Sequence, residues 1–323
     1  MRPFSPHPLL RNGHLQTIAV NYFHSKTGIT FARHRLELPD GDFVDLDVPT
    51  VEAYPLPATC PTLLVVHGLG GEARGGYMYA TYRDMAKAGI RTIGLNLRGC
   101  SGEPNRMARS YHLGATEDLT PVWQWIMANF PAPYAQMGFS LGANLTLKYA
   151  GEQGAALVNK LTAVVGVSPP FEFKGKLKFN DFPNQIYRSY LLTGLKEDIA
   201  PKLALLQAAG VDTDRAMQAK TIEEYDRYYT APLNGFADEV DYYDKVMCGR
   251  FVGDIAIPAL VIRSVDDPFF YDEVPRDTLA ANKNITALIT EHGGHCGFIE
   301  GLTPRKHVDW AQVTAAEWLK ERF

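Results

Sequence analysis

Short apolar runs recur along the chain and alternate with longer stretches of helical periodicity. The runs occupy residues 62–66, 91–97, 134–137, 161–167, 259–262 and 285–289. Runs of this length with little polar alternation are typical of parallel strands that are buried on both faces. In one intervening stretch, 79–88, apolar side chains return at helical spacing. The alternation predicts an α/β fold with a mostly parallel central sheet flanked by helices.

Two segments depart from this rhythm. Residues 31–38 and 43–48 alternate apolar and polar side chains around Asp40-Gly41, which predicts an antiparallel hairpin that leads into the sheet. From residue 168 to residue 253 the pattern becomes helical, rich in tyrosine and charged. These observations predict one discontinuous core, residues 1–167 and 254–323, with residues 168–253 inserted as a helical cap.

Composition narrows the class of protein. Of the 323 residues, 46% are hydrophobic and 21% are charged, which is usual for a globular protein with a substantial core. The net charge of -4 offers no basic face to a phosphate backbone, so we expect no nucleic-acid partner. No apolar run approaches the roughly 20 residues that cross a bilayer, so we expect no integral membrane segment.

The cysteines and the N-terminal residues indicate the cellular compartment of the protein. The four cysteines are far apart and form no C-x-x-C pair, which favours reduced thiols over a disulfide framework or a zinc site. They are Cys60, Cys100, Cys248 and Cys296. The first residues lack the apolar stretch of a secretory signal. We therefore expect a cytoplasmic protein, and the sequence indicates nothing about its oligomeric state.

A candidate nucleophile follows the run at 134–137. The segment Gly138-Phe-Ser140-Leu-Gly142 has the G-x-S-x-G pattern, and residues 143–151 after it favour a helix. A serine at such a strand-to-helix turn has a strained backbone, and the flanking glycines avoid clashes with the neighbouring strand and helix. The pattern predicts that the Ser140 hydroxyl is exposed above the sheet as a nucleophile.

A serine hydroxyl needs a base within hydrogen-bond reach and an acid that orients the base. In this type of fold the chain order is serine, acid, histidine. Asp266 and Asp267 follow the run at 259–262, and His292 and His295 follow the run at 285–289. The order is therefore satisfied, but the residues alone leave open which aspartate and which histidine act.

The oxyanion that forms when a serine attacks a carbonyl needs backbone N–H donors. The Leu141 N–H, directly after the candidate nucleophile, is one expected donor. The glycine-rich loop His67-Gly-Leu69-Gly-Gly71 follows an early strand, and we assign the second donor to Leu69 N–H. His67 precedes the nucleophile in the chain, and we interpret it as a residue that shapes this loop.

The same loop offers a rival reading, because Gly68-x-Gly70-x-x-Ala73 resembles a dinucleotide fingerprint. A dinucleotide site requires an acidic residue at the end of the next strand, which binds the ribose hydroxyls. That strand ends in Asn96-Leu-Arg98-Gly, which argues against NAD and leaves Arg98 as a narrow case for NADP. No metal or nucleotide motif is present, so we predict that neither a cofactor nor a metal is needed.

Taken together, the motifs resemble the YheT-like branch of the α/β-hydrolase superfamily, which is related to mammalian proteins of the ABHD1 and ABHD3 type. The resemblance covers nearly the whole chain. It rests on Leu10-Arg-Asn-Gly-His14-Leu-Gln-Thr-Ile18, His67-Gly-Leu-Gly-Gly71, Asn96-Leu-Arg-Gly-Cys-Ser-Gly-Glu-Pro-Asn105, Gly138-Phe-Ser-Leu-Gly-Ala-Asn144, Asp266-Asp-Pro-Phe269 and His292-Gly-Gly-His295.

This resemblance implies an α/β-hydrolase fold and a triad of Ser140, Asp267 and His295, with Asp266 and His292 in supporting positions. Family members are similar to carboxylesterases, which implies a small-molecule ester with a short- to medium-chain acyl group as the substrate. An acyltransferase using the same triad and a non-catalytic binding protein remain alternatives. The stretch 10–18 is diagnostic of the family, and His14 in it is expected to pack against the core.

Overall fold

The computed structural model describes residues 2–24, 26–173, 177–301, 303 and 307–323. Its strands are β1 (Ile29–Glu37), β2 (Phe43–Val51), β3 (Thr62–Val66), β4 (Arg91–Asn96), β5 (Tyr134–Phe139), β6 (Ala163–Val167), β7 (Ala259–Ser264), β8 (Ile285–Thr290), β9 (Ile299–Glu300) and β10 (Val308–Asp309). Its helices are α1 (Gly13–Tyr22), α2 (Gly76–Lys87), α3 (Leu119–Asn129), α4 (Leu141–Gln153), α5 (Gln185–Ile199), α6 (Leu203–Ala208), α7 (Thr213–Gln218), α8 (Ile222–Tyr225), α9 (Ala231–Leu233), α10 (Glu239–Val246), α11 (Arg276–Ala281) and α12 (Trp310–Lys320).

Within these ranges, eight strands form one sheet in the order β1-β2-β4-β3-β5-β6-β7-β8. The hairpin β1–β2 is antiparallel and joins β4 in antiparallel register, whereas β3 to β8 are all parallel. The predicted hairpin and the predicted, mostly parallel sheet are therefore confirmed. A short antiparallel pair, β9–β10, lies outside this sheet.

Helices cover both faces of the sheet, which explains why its central parallel strands are mostly apolar. In β3, Leu63 and Val65 pack into a cluster that includes side chains of α2 and α12. The alternate residues Leu64 and Val66 pack into a second cluster that includes α3 and α4. Successive side chains of a strand point to opposite faces, so each residue of β3 has a buried partner on one side or the other.

The helices α5 to α10 lie in the segment predicted to be a cap. Apolar side chains of α5, α6 and α8 form a cluster that reaches Leu69, Phe269 and Phe270, in the loops after β3 and β7. These helices therefore stand over the carboxyl ends of the central strands. The division of the chain into a discontinuous core and a cap at 168–253 stays a prediction.

The four cysteines are free, and three of them are buried. Burial raises the pKa of the Cys100 and Cys248 thiols, which keeps them protonated and poorly nucleophilic. Among the helices that the structure describes, none is long and apolar enough to cross a bilayer.

Candidate active site

Ser140 stands between the end of β5 and the first residue of α4. Its φ of 53° and ψ of -115° lie outside the ordinary regions for a residue with a side chain. The predicted backbone strain at this position is therefore confirmed. Ser140 N donates to the carbonyl of Val167 on the adjacent β6, and Asn144 N donates to the carbonyl of Ser140, so hydrogen bonds on both sides hold the turn.

The two flanking glycines are required by close backbone contacts. A Cβ on Gly138 would stand 2.0 Å from the carbonyl oxygen of Gly142, and a Cβ on Gly142 would stand 2.3 Å from that of Val66. Neither neighbour is the end of a flexible side chain. The predicted role of both glycines, letting β5 and α4 approach at a sharp turn, is confirmed.

Gly142→Ala is expected to lower the free energy of unfolding by about 1–3 kcal/mol or more, because its methyl group would overlap backbone oxygens. Gly194→Ala, in the interior of α5, is the matched control: among the described residues nothing lies within 4 Å of its Cβ. That substitution should stabilise the protein by about 0.5–1 kcal/mol through helix propensity. Urea unfolding of both variants checks the contrast, and equal effects would contradict the packing argument.

The structure brings one serine, one histidine and one aspartate into hydrogen-bond contact. His295 Nε2 lies 2.8 Å from Ser140 Oγ, and His295 Nδ1 lies 2.8 Å from Asp267 Oδ2. His295 and Asp267 are both buried. Both ring nitrogens of His295 are thus engaged, one by the hydroxyl and one by the carboxylate. This is the arrangement in which a histidine can take a proton from a serine.

The alternatives that the sequence left open lie beside this trio. Asp266 Oδ1 accepts a hydrogen bond from Gly294 N at 2.8 Å, and its other oxygen is 3.5 Å from His292 Nδ1. The His292 side chain is 40% exposed. Asp266 therefore braces the loop that carries His295, while His292 lies at the surface.

A buried arginine, which the sequence reasoning did not select, contacts the acid. The Arg263 guanidinium donates to Asp267 Oδ2 and to the carbonyl of Tyr271, and it lies over the ring of Phe270. Asp267 Oδ1 accepts from Phe269 N at 2.7 Å. A signal was available, since Arg263 directly continues the apolar run at 259–262, and an arginine at a buried strand position usually has a charged partner.

These charges shift the pKa values of the acid and the base. Burial alone would raise the pKa of Asp267, but Arg263 and His295 hold it below its ordinary value. Burial opposes a charged His295, yet the Asp267 carboxylate raises the pKa of the imidazolium above its ordinary value. Asp267 therefore stays ionised and favours positive charge on His295, which is the state created when His295 accepts a proton.

The loop after β3 passes directly beside the serine. A Cβ on Gly68 would stand 3.2 Å from Ser140 Cβ. Gly68 N donates to the Tyr77 hydroxyl at 2.8 Å, and Gly70 N donates to the Tyr111 hydroxyl at 3.0 Å. Between them, the Leu69 N–H has no hydrogen-bond acceptor among the described residues, and the same holds for Leu141 N–H. Leu69 and Leu141 both line the cavity beside the serine, and their assignment as oxyanion donors stays a prediction.

His67 serves the loop and stands apart from the serine–histidine contact. Its Nε2 accepts a hydrogen bond from Leu97 N at 3.2 Å, so its Nδ1 carries the proton and donates to the Gly68 carbonyl at 2.8 Å. Complete burial lowers its pKa to about 4, which keeps the ring neutral. The interpretation of His67 as a residue that shapes the loop is confirmed.

The N-terminal stretch 10–18, whose role the sequence did not reveal, holds the histidine loop. Thr17 Oγ1 accepts a hydrogen bond from His295 N at 2.8 Å. Gln16 Oε1 accepts from Ile299 N at 2.7 Å, and Gln16 Nε2 donates to the Ile299 carbonyl at 3.0 Å. Helix α1 therefore fixes the backbone on both sides of the loop that presents the base.

The sequence provides no account of His14 beyond packing against the core, and the structure shows a specific partner for it. Its ring stacks on Tyr187 of α5 with centroids 5.7 Å apart, and its Nδ1 lies 3.0 Å from the Tyr187 hydroxyl. An imidazole nitrogen needs a polar partner, and this hydroxyl supplies one where an apolar core would not. Tyr187 also contacts Phe269, whose ring stacks on His295 at 4.1 Å. The aromatic contacts thus run from α1 through α5 to the base.

A cavity of about 670 Å³ opens above Ser140, between the sheet edge and the helices of residues 168–253. Leu69 and His295 line it beside the serine. The far side is lined mainly by apolar and aromatic side chains, among them Leu191, Leu195, Tyr225 and Tyr229. A volume of this size is in the usual range for small-molecule sites.

Arg98 does not support NADP binding, because its guanidinium donors are already hydrogen-bonded to carboxylates. Its guanidinium donates to Asp118 at 2.6 and 2.7 Å, to Asp40 at 2.6 Å and to Asp42 at 3.1 Å. The Arg98 side chain is only 3% exposed. It is a buried member of an ion network and cannot turn to a ribose phosphate.

Comparison with known proteins gives similarity over nearly the whole chain. A family model described as the alpha/beta hydrolase fold matches residues 61–302. The YheT protein of Escherichia coli (strain K12), named as an esterase, is 35% identical over 99% of this chain and 92% of its own length. Phospholipase ABHD3 of Homo sapiens is 30% identical over 91% of this chain and 73% of its own length.

A solved structure extends the likeness to three dimensions. Est1E from Butyrivibrio proteoclasticus with bound ferulic acid covers 91% of this chain and 98% of its own, with a TM-score of 0.55 and 13% identity. At that identity, the likeness concerns the fold alone. It is the arrangement described above, a mostly parallel sheet with helices on both faces.

Proposed function

Because this chain belongs to the α/β-hydrolase family, we propose that it is a serine hydrolase that cleaves carboxylic esters with Ser140, His295 and Asp267. The family membership confirms the resemblance that the sequence motifs carried. The observation that supports the finer proposal is the continuous hydrogen-bonded path from Ser140 Oγ through both nitrogens of His295 to Asp267. At the other end of this path, Ser140 lines the cavity, so its hydroxyl is accessible to a ligand.

In the proposed mechanism, His295 Nε2 takes the hydroxyl proton as Ser140 Oγ attacks the ester carbonyl. Asp267 stabilises the imidazolium, and the N–H groups of Leu69 and Leu141 bind the oxyanion. The imidazolium then protonates the departing alcohol, which leaves an acyl group on Ser140. Water attacks this acyl-enzyme with His295 as base and releases the carboxylic acid. No step in this sequence calls on a cofactor.

The proposed substrate is a small-molecule ester with a short- to medium-chain acyl group. The mainly apolar and aromatic side chains on the far side of the cavity support this, since they favour contact with an apolar acyl chain. Free cysteines support a cytoplasmic location for the reaction.

Labelling and turnover together test the proposal. A fluorophosphonate probe is expected to modify Ser140 stoichiometrically, with the modified peptide identified by mass spectrometry. The p-nitrophenyl esters of butyrate and octanoate should be hydrolysed faster than the palmitate ester, because the cavity is limited in volume. Failure of the probe to label Ser140 would favour a binding protein. Labelling with acyl transfer to an added alcohol in place of water would favour an acyltransferase.

A further inference from the structure

Two histidines and an aspartate from distant parts of the chain converge in one cluster. His24 follows the C-terminal end of α1, whereas His307 and Asp309 belong to the β9–β10 region. His24 Nε2 is 3.6 Å from Asp309 Oδ1, and His307 Nε2 is 3.3 Å from Asp309 Oδ2. One ligand atom from each residue can be chosen so that all three lie within 4.8 Å of one another.

The side chains of His24 and Asp309 are buried, and each contains a polar atom without a hydrogen-bond partner among the described residues. The side chains of His24 and Asp309 are 1% and 9% exposed. Among the described residues, neither His24 Nε2 nor Asp309 Oδ1 has a hydrogen-bond partner. The 3.6 Å between these two atoms is too long for a hydrogen bond. A buried polar atom without a partner costs about 1–3 kcal/mol, so two of them in contact indicate a missing ligand.

We propose that His24, His307 and Asp309 form a binding site for one divalent transition-metal ion, of which Zn²⁺ fits best. Zinc bonds to imidazole nitrogen and carboxylate oxygen are about 2.0–2.2 Å, which places tetrahedral ligand atoms about 3.3 Å apart. His24 Nε2 and His307 Nε2 lie 3.6 and 3.3 Å from the two different oxygens of Asp309, and with one ligand atom from each residue all three lie within 4.8 Å of one another. A water molecule completes the fourth position.

Among the described residues, His24 Nδ1 likewise has no hydrogen-bond partner, so either nitrogen of this buried ring is free to bind an ion. The sequence could not reveal this site, because its ligands are separated by nearly the whole chain and form no local motif.

The ion has a structural role that follows from its place in the fold. It ties the end of α1 to the β9–β10 pair, and α1 carries Thr17, which holds His295 N. Gln16 of the same helix binds Ile299 at the start of β9. The ion therefore stabilises the segments on both sides of the loop that presents His295, and it does not contact the substrate or Ser140.

Metal titration of the full chain, purified without a histidine tag and freed of metal, tests the site. Calorimetry is expected to show one Zn²⁺ per chain, and Co²⁺ should give the visible absorption of a tetrahedral site. His24→Gln and Asp309→Asn should each weaken binding by at least about 100-fold, beyond what outer contacts produce. Zn²⁺ should raise the thermal midpoint of the wild type and leave that of both variants unchanged.

His34→Gln, which removes an exposed histidine on β1, is the matched control and should bind Zn²⁺ like the wild type. Near-UV circular dichroism verifies that each variant is folded. Absence of one-to-one binding to the wild type would overturn the proposal. So would a folded His24→Gln variant that binds Zn²⁺ as tightly as the wild type, because the ion would then lie elsewhere.

Discussion

Ser140→Ala is expected to lower kcat/KM for p-nitrophenyl butyrate by about 10⁴- to 10⁶-fold. Ser140 Oγ is the atom that forms the acyl-enzyme in the proposed mechanism, and alanine leaves His295 with no proton to accept. The oxyanion donors and the cavity persist in the variant, so a residual rate above that in water should remain. Initial rates with enzyme in large excess over any contaminating esterase provide the measurement.

Two comparisons make this result specific. Ser189→Ala removes an exposed hydroxyl that donates only to the Gln185 carbonyl within α5, and it should keep the wild-type rate. The double variant Ser140→Ala/His295→Ala should be no slower than Ser140→Ala alone, because residues that act as a unit are not additive. A Ser140→Ala protein with wild-type turnover would refute the nucleophile.

The parts of the site that could be predicted from the residues are those encoded locally. The turn at Ser140 needs glycine at 138 and 142, and both close contacts arise within a few residues of the serine or from the adjacent β3. The apolar runs likewise predicted the strands, because burial on both faces leaves little room for polar side chains. The loop donors followed from the same reasoning.

The local sequence could not decide which of the two neighbouring aspartates and which of the two histidines form the site. Asp266 and Asp267 differ by one residue, so the direction of each side chain depends on the turn that places Phe269 N against Asp267. The resemblance to a family implied Asp267 and His295, and in the structure His295 contacts Ser140 while Asp267 contacts His295. The contacts of His14 with Tyr187 and of Thr17 with His295 join distant segments, and no local pattern encodes them.

Asp267→Asn is expected to lower kcat by about 10³- to 10⁴-fold, because an amide favours the wrong tautomer of His295 and does not stabilise its positive charge. It should also lower the free energy of unfolding by about 3–5 kcal/mol, since Arg263 would remain buried without its carboxylate. Steady-state kinetics and urea unfolding of the same preparation measure the two losses.

Replacing Arg263 separates these two effects. Asp267→Asn/Arg263→Met leaves no unpaired charge at this pair, so it should regain most of the stability but none of the activity.

Arg263→Met alone keeps the carboxylate and removes the cation that lowers the pKa of Asp267. The carboxylate then acts more strongly on His295 and raises its pKa further. Since His295 must be neutral to accept a proton, kcat/KM falls as the pH drops through this pKa. The acid limb should therefore move to higher pH in Arg263→Met and to lower pH in Asp267→Asn; shifts in the same direction would show that Arg263 does not act through Asp267.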